Sequence, residues 1–399
     1  MTTLLHEDFA RAYVTEVSEA VHRMLTRGTA AVDLVTSATI GGGEVRAFGN
    51  GGSSAIVRSL LLQLCAQAEL PVHDTMMSPA ALTYSTQRDD YRGVFARSLT
   101  GGIDRVGLVV VASVSGRSVN IRETIRLCAD HHVPVLALVG GDGAQLETAH
   151  GMVWPTGTTD QQISEDAMLT ALTLTAAALG PGTDPLSVHT ERHLHALTTV
   201  DHGRLGVFLR KATEAISNAI RTRRRIYVLC PEGGPLALVA EHFAHNLNWD
   251  APLGIEGVRP PLVVRDPSLA DLTAIYNDHP DPAYGVRHQL SGAGPEDVVF
   301  LLAYDSAART TREAIGTATE AGTRLFLLHR NGPSTQHHFQ LPQTDDFALA
   351  ALTQSVAHLI CRTTHAALAA NHDGSTAALS SSALMAQDLA PLRELSDTL

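Results

Sequence analysis

The stretch Val45 to Leu64, VRAFGNGGSSAIVRSLLLQL, constrains this chain most: an apolar β-type run breaks at Asn50-Gly51-Gly52-Ser53-Ser54 and resumes as an apolar helix. Such a tight strand-to-helix turn calls for glycine, which reaches backbone conformations closed to other residues and lets a ligand approach the main chain. The amides that open the helix have no internal partner, and the helix dipole adds partial positive charge, so the turn suits a phosphate. Gly-rich turns of this kind also serve packing alone, and at this motif both readings stand.

A second segment has the same build. Leu108 to Leu138 reads as a buried-type strand, a Ser113-x-Ser115-Gly116-x-Ser118 turn, a helix and another strand. Hydroxyls donate to phosphate oxygens without adding a fixed charge, which suits a site that must hold and release a sugar phosphate. A Ser-rich helix cap is the plain alternative. Two such turns in one chain favour the anion site.

The residues around these turns resemble the sugar isomerase (SIS) domain family, and within it the phosphoheptose isomerases. The resemblance rests on Gly49-Asn50-Gly51-Gly52-Ser53, Leu82-Thr83 followed by Tyr91 and Phe95-Ala96-Arg97, Ser113 to Asn120, and Gly140-Gly141-Asp142-Gly143, in that order. It implies an α/β fold with a mostly parallel five-stranded sheet between helices, three layers in a flavodoxin-like arrangement. It also implies a small phosphorylated sugar as ligand.

The pattern then recurs. Arg225 to Leu247 repeats the first Gly-Gly turn, and Val298 to Leu328 repeats the strand, helix, strand unit, with Ile121-Arg122-Glu123 matching Thr311-Arg312-Glu313. Two long copies point to fused domains rather than a solenoid, whose periods are much shorter. The expected organisation is a helical arm plus first SIS domain over residues 1–180, a linker and second arm over 181–223, a divergent second SIS domain over 224–372, and a tail over 373–399. A turn-rich Gly180-Pro181-Gly182-Thr183-Asp184-Pro185 marks the linker.

Composition narrows the function. Acidic residues exceed basic ones by twelve, which argues against a nucleic-acid footprint. No apolar run is long enough to span a bilayer, and the N-terminus reads as an amphipathic helix, so a cytoplasmic protein without a membrane partner is expected. The four cysteines lie far apart in apolar settings and read as buried thiols. Lys211 is the sole lysine, poorly placed for Schiff-base chemistry or a P-loop.

Aldose–ketose isomerisation through an enediol needs a base for a carbon-bound proton and an acid or metal at the carbonyl. The resemblance implies a His and, four residues on, a Glu in the helix after the first turn, then a Gln and a His in a later helix. Spacing of four puts two side chains on one helix face, where such a set can hold zinc. In the first half these positions fall at Ser59, Gln63 and near Ser164 and Leu172, none of them a base.

The second half has the complement. Its hydroxyls are replaced by Pro231-Glu232-Gly233-Gly234-Pro235 and Ala303 to Ala308, where Glu232 and Asp305 are expected to repel a phosphate, yet it carries Glu241, His242, His245 and His358. Aligned without a gap, Glu241 and His245 take the key positions; anchored on His-Phe, His242 does, with Asn246 in place of Glu. Both alignments stay open. These four residues are the candidates for catalysis and for zinc, if a metal is used. The phosphate candidates are Asn50, Gly51, Gly52, Ser53, Ser54, Ser113, Ser115 and Ser118, with Asp266, Asn277 and Asp278 added by likeness to a family loop.

SIS proteins commonly build sites between subunits, so fused copies packed as a pseudo-dimer, in a homo-oligomer of such pseudo-dimers, would let one half hold phosphate while the other offers His and Glu. The function expected is isomerisation of sedoheptulose 7-phosphate or a related ketose phosphate. The alternatives are a non-catalytic sugar-phosphate-binding regulator and another enediol reaction on a phosphosugar.

Overall fold

The computed structural model describes residues 3–74, 79–180, 182–279 and 281–372. The expected tail, 373–399, lies outside the described residues, as does Pro181 of the linker. The chain divides into two compact units, 16–194 (the first unit) and 1–15 with 195–399 (the second). The boundaries fall inside two helices, α1 (Thr3–Leu25) and a later one, instead of at the turn-rich linker.

The first unit continues through α2 (Gly28–Thr39), β1 (Glu44–Gly49), α3 (Gly52–Gln67), β2 (Val72–His73), α4 (Pro79–Asp89), α5 (Val94–Thr100), β3 (Val106–Ser113), α6 (Val119–Asp130), β4 (Val135–Val139), β5 (Gly151–Pro155), α7 (Gln161–Ala177) and α8 (Leu186–Thr198). Its five strands are all parallel, in the order β2-β1-β3-β4-β5. Strands buried on both faces read as unbroken apolar runs, which is why Leu108–Ala112 and Val135–Val139 show no alternation. Phe95, Leu99, Ile121, Ile125 and Cys128 of α5 and α6 cluster with Val109, Val111, Val135 and Ala137 on one face. α3 and α7 pair with each other, with the Gln63 amide donating to the Thr173 carbonyl at 3.0 Å.

The second unit adds α9 (His202–Thr222), β6 (Arg225–Leu229), α10 (Pro235–Trp249), β7 (Leu262–Val264), α11 (Leu269–Asp278), α12 (Tyr284–Leu290), β8 (Val298–Asp305), α13 (Arg309–Glu320), β9 (Arg324–Asn331), β10 (His338–Gln340) and α14 (Asp346–His372). Its strands are again all parallel, in the order β7-β6-β8-β9-β10, the same topology as the first sheet. Val286, Leu290, Ala314 and Ala318 pack on Leu229, Val299, Leu301 and Leu327. The Thr213 and Thr363 hydroxyls, 2.7 Å apart, join α9 to α14.

Two parallel five-stranded sheets flanked by helices were expected and are present. One detail differs: Cys128, Cys230 and Cys361 are buried free thiols, as read from their apolar settings, but Cys65 is exposed because it falls on the outer side of α3. No described helix is long and apolar enough to cross a membrane.

Candidate functional site

In an open parallel sheet, ligands bind beyond the carboxyl ends of the strands where the strand order reverses. In the first unit that place lies between β1 and β3, because the chain runs from β1 outward to β2 on one side and from β3 to β4 and β5 on the other. Both turns singled out in the sequence open there, after Gly49 and after Ser113.

Gly49 is obligatory. A Cβ on it would stand 2.5 Å from the Ser53 carbonyl oxygen, so only glycine lets the turn fold back on α3. Gly51, at φ +51°, caps α3 without any side-chain bond, and Ser53 is buried while Ser54 is half-buried in the first turn. Asn50 faces across to the second turn: its amide nitrogen donates to Asn120 Oδ1 at 3.0 Å, and Asn120 returns a bond to Asn50 Oδ1 at 2.9 Å. The Tyr91 hydroxyl donates to the same oxygen at 2.9 Å. Partial burial of that phenol raises its pKa, so it stays a donor at neutral pH.

The second turn carries the three hydroxyls. Ser113 is buried and lies 3.1 Å from the Ser118 hydroxyl, Ser115 is exposed and accepts from the Arg117 amide at 3.2 Å, and Gly116 takes φ +63°. Ser118 is the N-cap of α6, but its hydroxyl makes no capping bond. Of the amides that open α6, that of Ile121 donates to Asn120 Oδ1 at 3.0 Å, Ser118 caps none of them, and the helix dipole adds to their pull on an anion. Arg122 braces the turn by donating to the Gly116 and Gln145 carbonyls, each at 3.0 Å. A groove of about 530 Å³ runs along the other side of α6, past Arg126 and Glu147; none of the three serines lines it.

In the second unit the equivalent residues can be set by register. Ser113 pairs with Val139 as Ala303 pairs with His329, and α6 and α13 begin at Val119 and Arg309, so Ser115 corresponds to Asp305 and Ser118 to Ala308. Between β6 and α10 the turn is two residues longer than between β1 and α3. Counted from the N-caps Gly51 and Gly234, Ser59 corresponds to His242 and Gln63 to Asn246. All four are buried, whereas Glu241 is exposed and His245, half-buried, lies beside the Trp249 ring.

His242 on α10 meets two residues of α14. Its Nδ1 lies 3.0 Å from Gln354 Oε1, and its ring stands edge-to-face with His358, centroids 5.0 Å apart. An amide oxygen only accepts, so Nδ1 carries the proton and Nε2 keeps the basic lone pair. His242 and His358 are thus two imidazoles of this unit placed to hold a metal or move a proton together. Glu241, about 100° round the helix from His242, is exposed, and the His245 ring lies against Trp249.

The remaining candidates are placed as follows. Asp266 accepts from the Cys230 amide with both oxygens at 3.1 Å, and burial pushes its carboxyl up to about 7. Asn277 and Asp278 are exposed at the end of α11, hydrogen-bonded to each other at 2.8 Å. Gln354 was missed from sequence, since it lies in no motif and only the partner helix reveals it; Asn120 closes the second motif, but its bonds to Asn50 show only in the fold. Glu165 and Asp166, two buried carboxylates on α7, were missed for the same reason.

Comparison with known proteins agrees with this geometry. Residues 8–140 match the SIS domain model. A phosphoheptose isomerase of Dechloromonas aromatica is 29% identical over 134 residues, 32% of this chain and 67% of that protein. Another, from Geobacter metallireducens, is 30% identical over 138 residues, 33% of this chain and 73% of its own length. Among solved structures, the C-terminal domain of glucosamine-fructose-6-phosphate aminotransferase from Francisella tularensis shares the fold at a TM-score of 0.59 and 13% identity, covering 90% of this chain and 95% of that one. The serine-bearing turn at the first switch point, the matching SIS model and a relative 30% identical and aligned over nearly three quarters of its length lead to one assignment: this chain belongs to the SIS domain family.

Proposed function

We propose that the chain is a phosphosugar isomerase whose first unit holds the phosphate of a ketose phosphate, with sedoheptulose 7-phosphate as the leading substrate because the relatives are named phosphoheptose isomerases. One observation carries the reading: at the β1/β3 switch point three serines gather at the opening of α6, whose N-cap Ser118 makes no capping bond. Ser113, Ser115 and Ser118 donate to phosphate oxygens, and Asn50 and Asn120 lock the two turns together, so the anion site is formed before ligand arrives. Fusion of two copies of one ancestral domain accounts for the shared strand order.

Proton transfer requires a base and an acid. The residues suited to it are Glu165, buried on α7 of the first unit, and His242, whose Nε2 is basic, with Gln354 fixing its tautomer and His358 beside it. If zinc is used, His242 and His358 are the nitrogen ligands this unit supplies, and the metal would polarise the sugar carbonyl.

Incubation with sedoheptulose 7-phosphate in D2O tests this. Isomerisation through an enediol puts solvent deuterium on the carbon next to the carbonyl and yields the aldose; E165Q and H242N should each reduce that exchange. A second reading, a sugar-phosphate sensor without catalysis, is favoured by Ser59 and Gln63 at the positions where the family resemblance implies His and Glu. Tight binding with no deuterium entry would establish it instead.

A further inference from the structure

The second sheet has a switch point of its own, between β6 and β8, and it is spanned by this chain's own side chains. Glu232, on the two-residue-longer turn after β6, reaches across to β8 and α13. Its Oε1 accepts from the Tyr304 amide at 3.1 Å, the Asp305 amide at 3.3 Å and the Thr311 hydroxyl at 2.8 Å. By the register given above, these are the counterparts of Val114, Ser115 and Ile121, the turn and helix start of the first unit's phosphate site.

The other half of that switch point is closed as well. The Tyr304 hydroxyl accepts from the Leu236 amide, the second in α10, at 3.2 Å and donates to the Gly233 carbonyl at 3.2 Å. Pro235 at the first helical position has no N–H to offer. A Cβ on Gly234 would stand 2.8 Å from that hydroxyl, so glycine there lets Tyr304 lie against the turn. The amides of Tyr304, Asp305 and Leu236, at the positions equivalent to Val114, Ser115 and Ser53, are thus met here by side chains.

We propose that Glu232 is a built-in anion: its carboxylate occupies an oxyanion site that the second unit retains, so the chain binds one phosphate rather than two, and removing the carboxylate, together with that of Asp305 on the facing turn, uncovers a second phosphate-binding site. Glu232 is half-buried, so the site communicates with solvent. A carboxylate tethered by its own backbone outcompetes free phosphate because its entropy cost was met on folding. The inference rests on the functional reading above for its chemistry, but it concerns a different place in the chain.

The test is equilibrium dialysis with radiolabelled inorganic phosphate on full-length wild type, E232A and E232D, both variants also carrying D305S so that the neighbouring turn carboxylate does not repel the ion. E232A should bind one more phosphate per chain than wild type, while E232D, which keeps an anion on the same turn, should gain none. The gain is read against wild type: loss of the wild-type site alone would count against the first-unit reading and leave the increment intact. A folded E232A with no increment, or an equal increment in E232D, overturns the proposal. Should E232A not fold in plain buffer, phosphate must restore its helical circular dichroism and raise its melting temperature; failure of phosphate to do so also overturns it.

Discussion

The two switch points of this protein are built on one topology and end in opposite electrostatic states. At β1/β3 the chain presents hydroxyls at a helix opening whose N-cap makes no capping bond; at β6/β8 the Tyr304, Asp305 and Leu236 amides and the Thr311 hydroxyl are already engaged by Glu232 and Tyr304. Strand order therefore fixes where an anion site can exist, and a few turn residues decide whether it is offered or filled. Burying a donor without a partner costs roughly 1–3 kcal/mol. Satisfying those donors with its own side chains spares the second unit that cost.

The contrast can be broken most forcefully by making the first turn resemble the second. S115D installs the residue found at the corresponding Asp305 position, removes a donor and sets a carboxylate against a dianion. Sugar-phosphate affinity, measured by calorimetry, should fall at least ~100-fold, since one hydrogen bond to a charged group alone contributes about 1.5–3 kcal/mol. The milder S115A should lose roughly tenfold or more on the same scale.

Stability comes next. G49A forces a methyl group within 2.5 Å of the Ser53 carbonyl, so the turn must open. Thermal or urea denaturation should show a loss of at least ~2 kcal/mol, in line with overpacked sites, together with weakened phosphate binding. An alanine tolerated without cost would mean that the close fold-back of the turn onto α3 is unimportant.

A pH-dependent effect belongs to the second unit. Burial raises Asp266 from 3.8 to about 7, so the folded protein holds this proton more tightly than the unfolded chain. Its stabilising contribution is complete below about pH 4 and is lost as pH rises through 7, by at most ~4 kcal/mol. D266N keeps an acceptor for the Cys230 amide without the charge. It should raise the melting temperature at pH 8 relative to wild type and leave it nearly unchanged at pH 4.

Much of this was legible in the residues. Unbroken apolar runs announced buried parallel strands, and Gly49 to Ser54 and Ser113 to Ser118 announced the turns, because backbone geometry and donor chemistry are local properties. What needed three dimensions was adjacency. Glu232 reads in sequence as a charge that repels phosphate; only the β6-β8 neighbourhood shows it bonded to β8 and α13. The choice between Glu241 and His242 was open because a two-residue insertion in a turn leaves no periodic trace, and the helix start resolves the count. Gln354 carries no motif at all and is found through the ring it orients.

The claim on which the rest depends is that the first switch point, and not the second, takes the anionic end of the ligand. A crystal structure of the wild-type protein with sedoheptulose 7-phosphate tests it directly. Phosphate density should lie among the Ser113, Ser115 and Ser118 hydroxyls and the opening of α6, with Glu232 still bonded to Tyr304, Asp305 and Thr311. Phosphate seated at β6/β8 with Glu232 displaced, or a vacant first turn at saturating ligand, would contradict it.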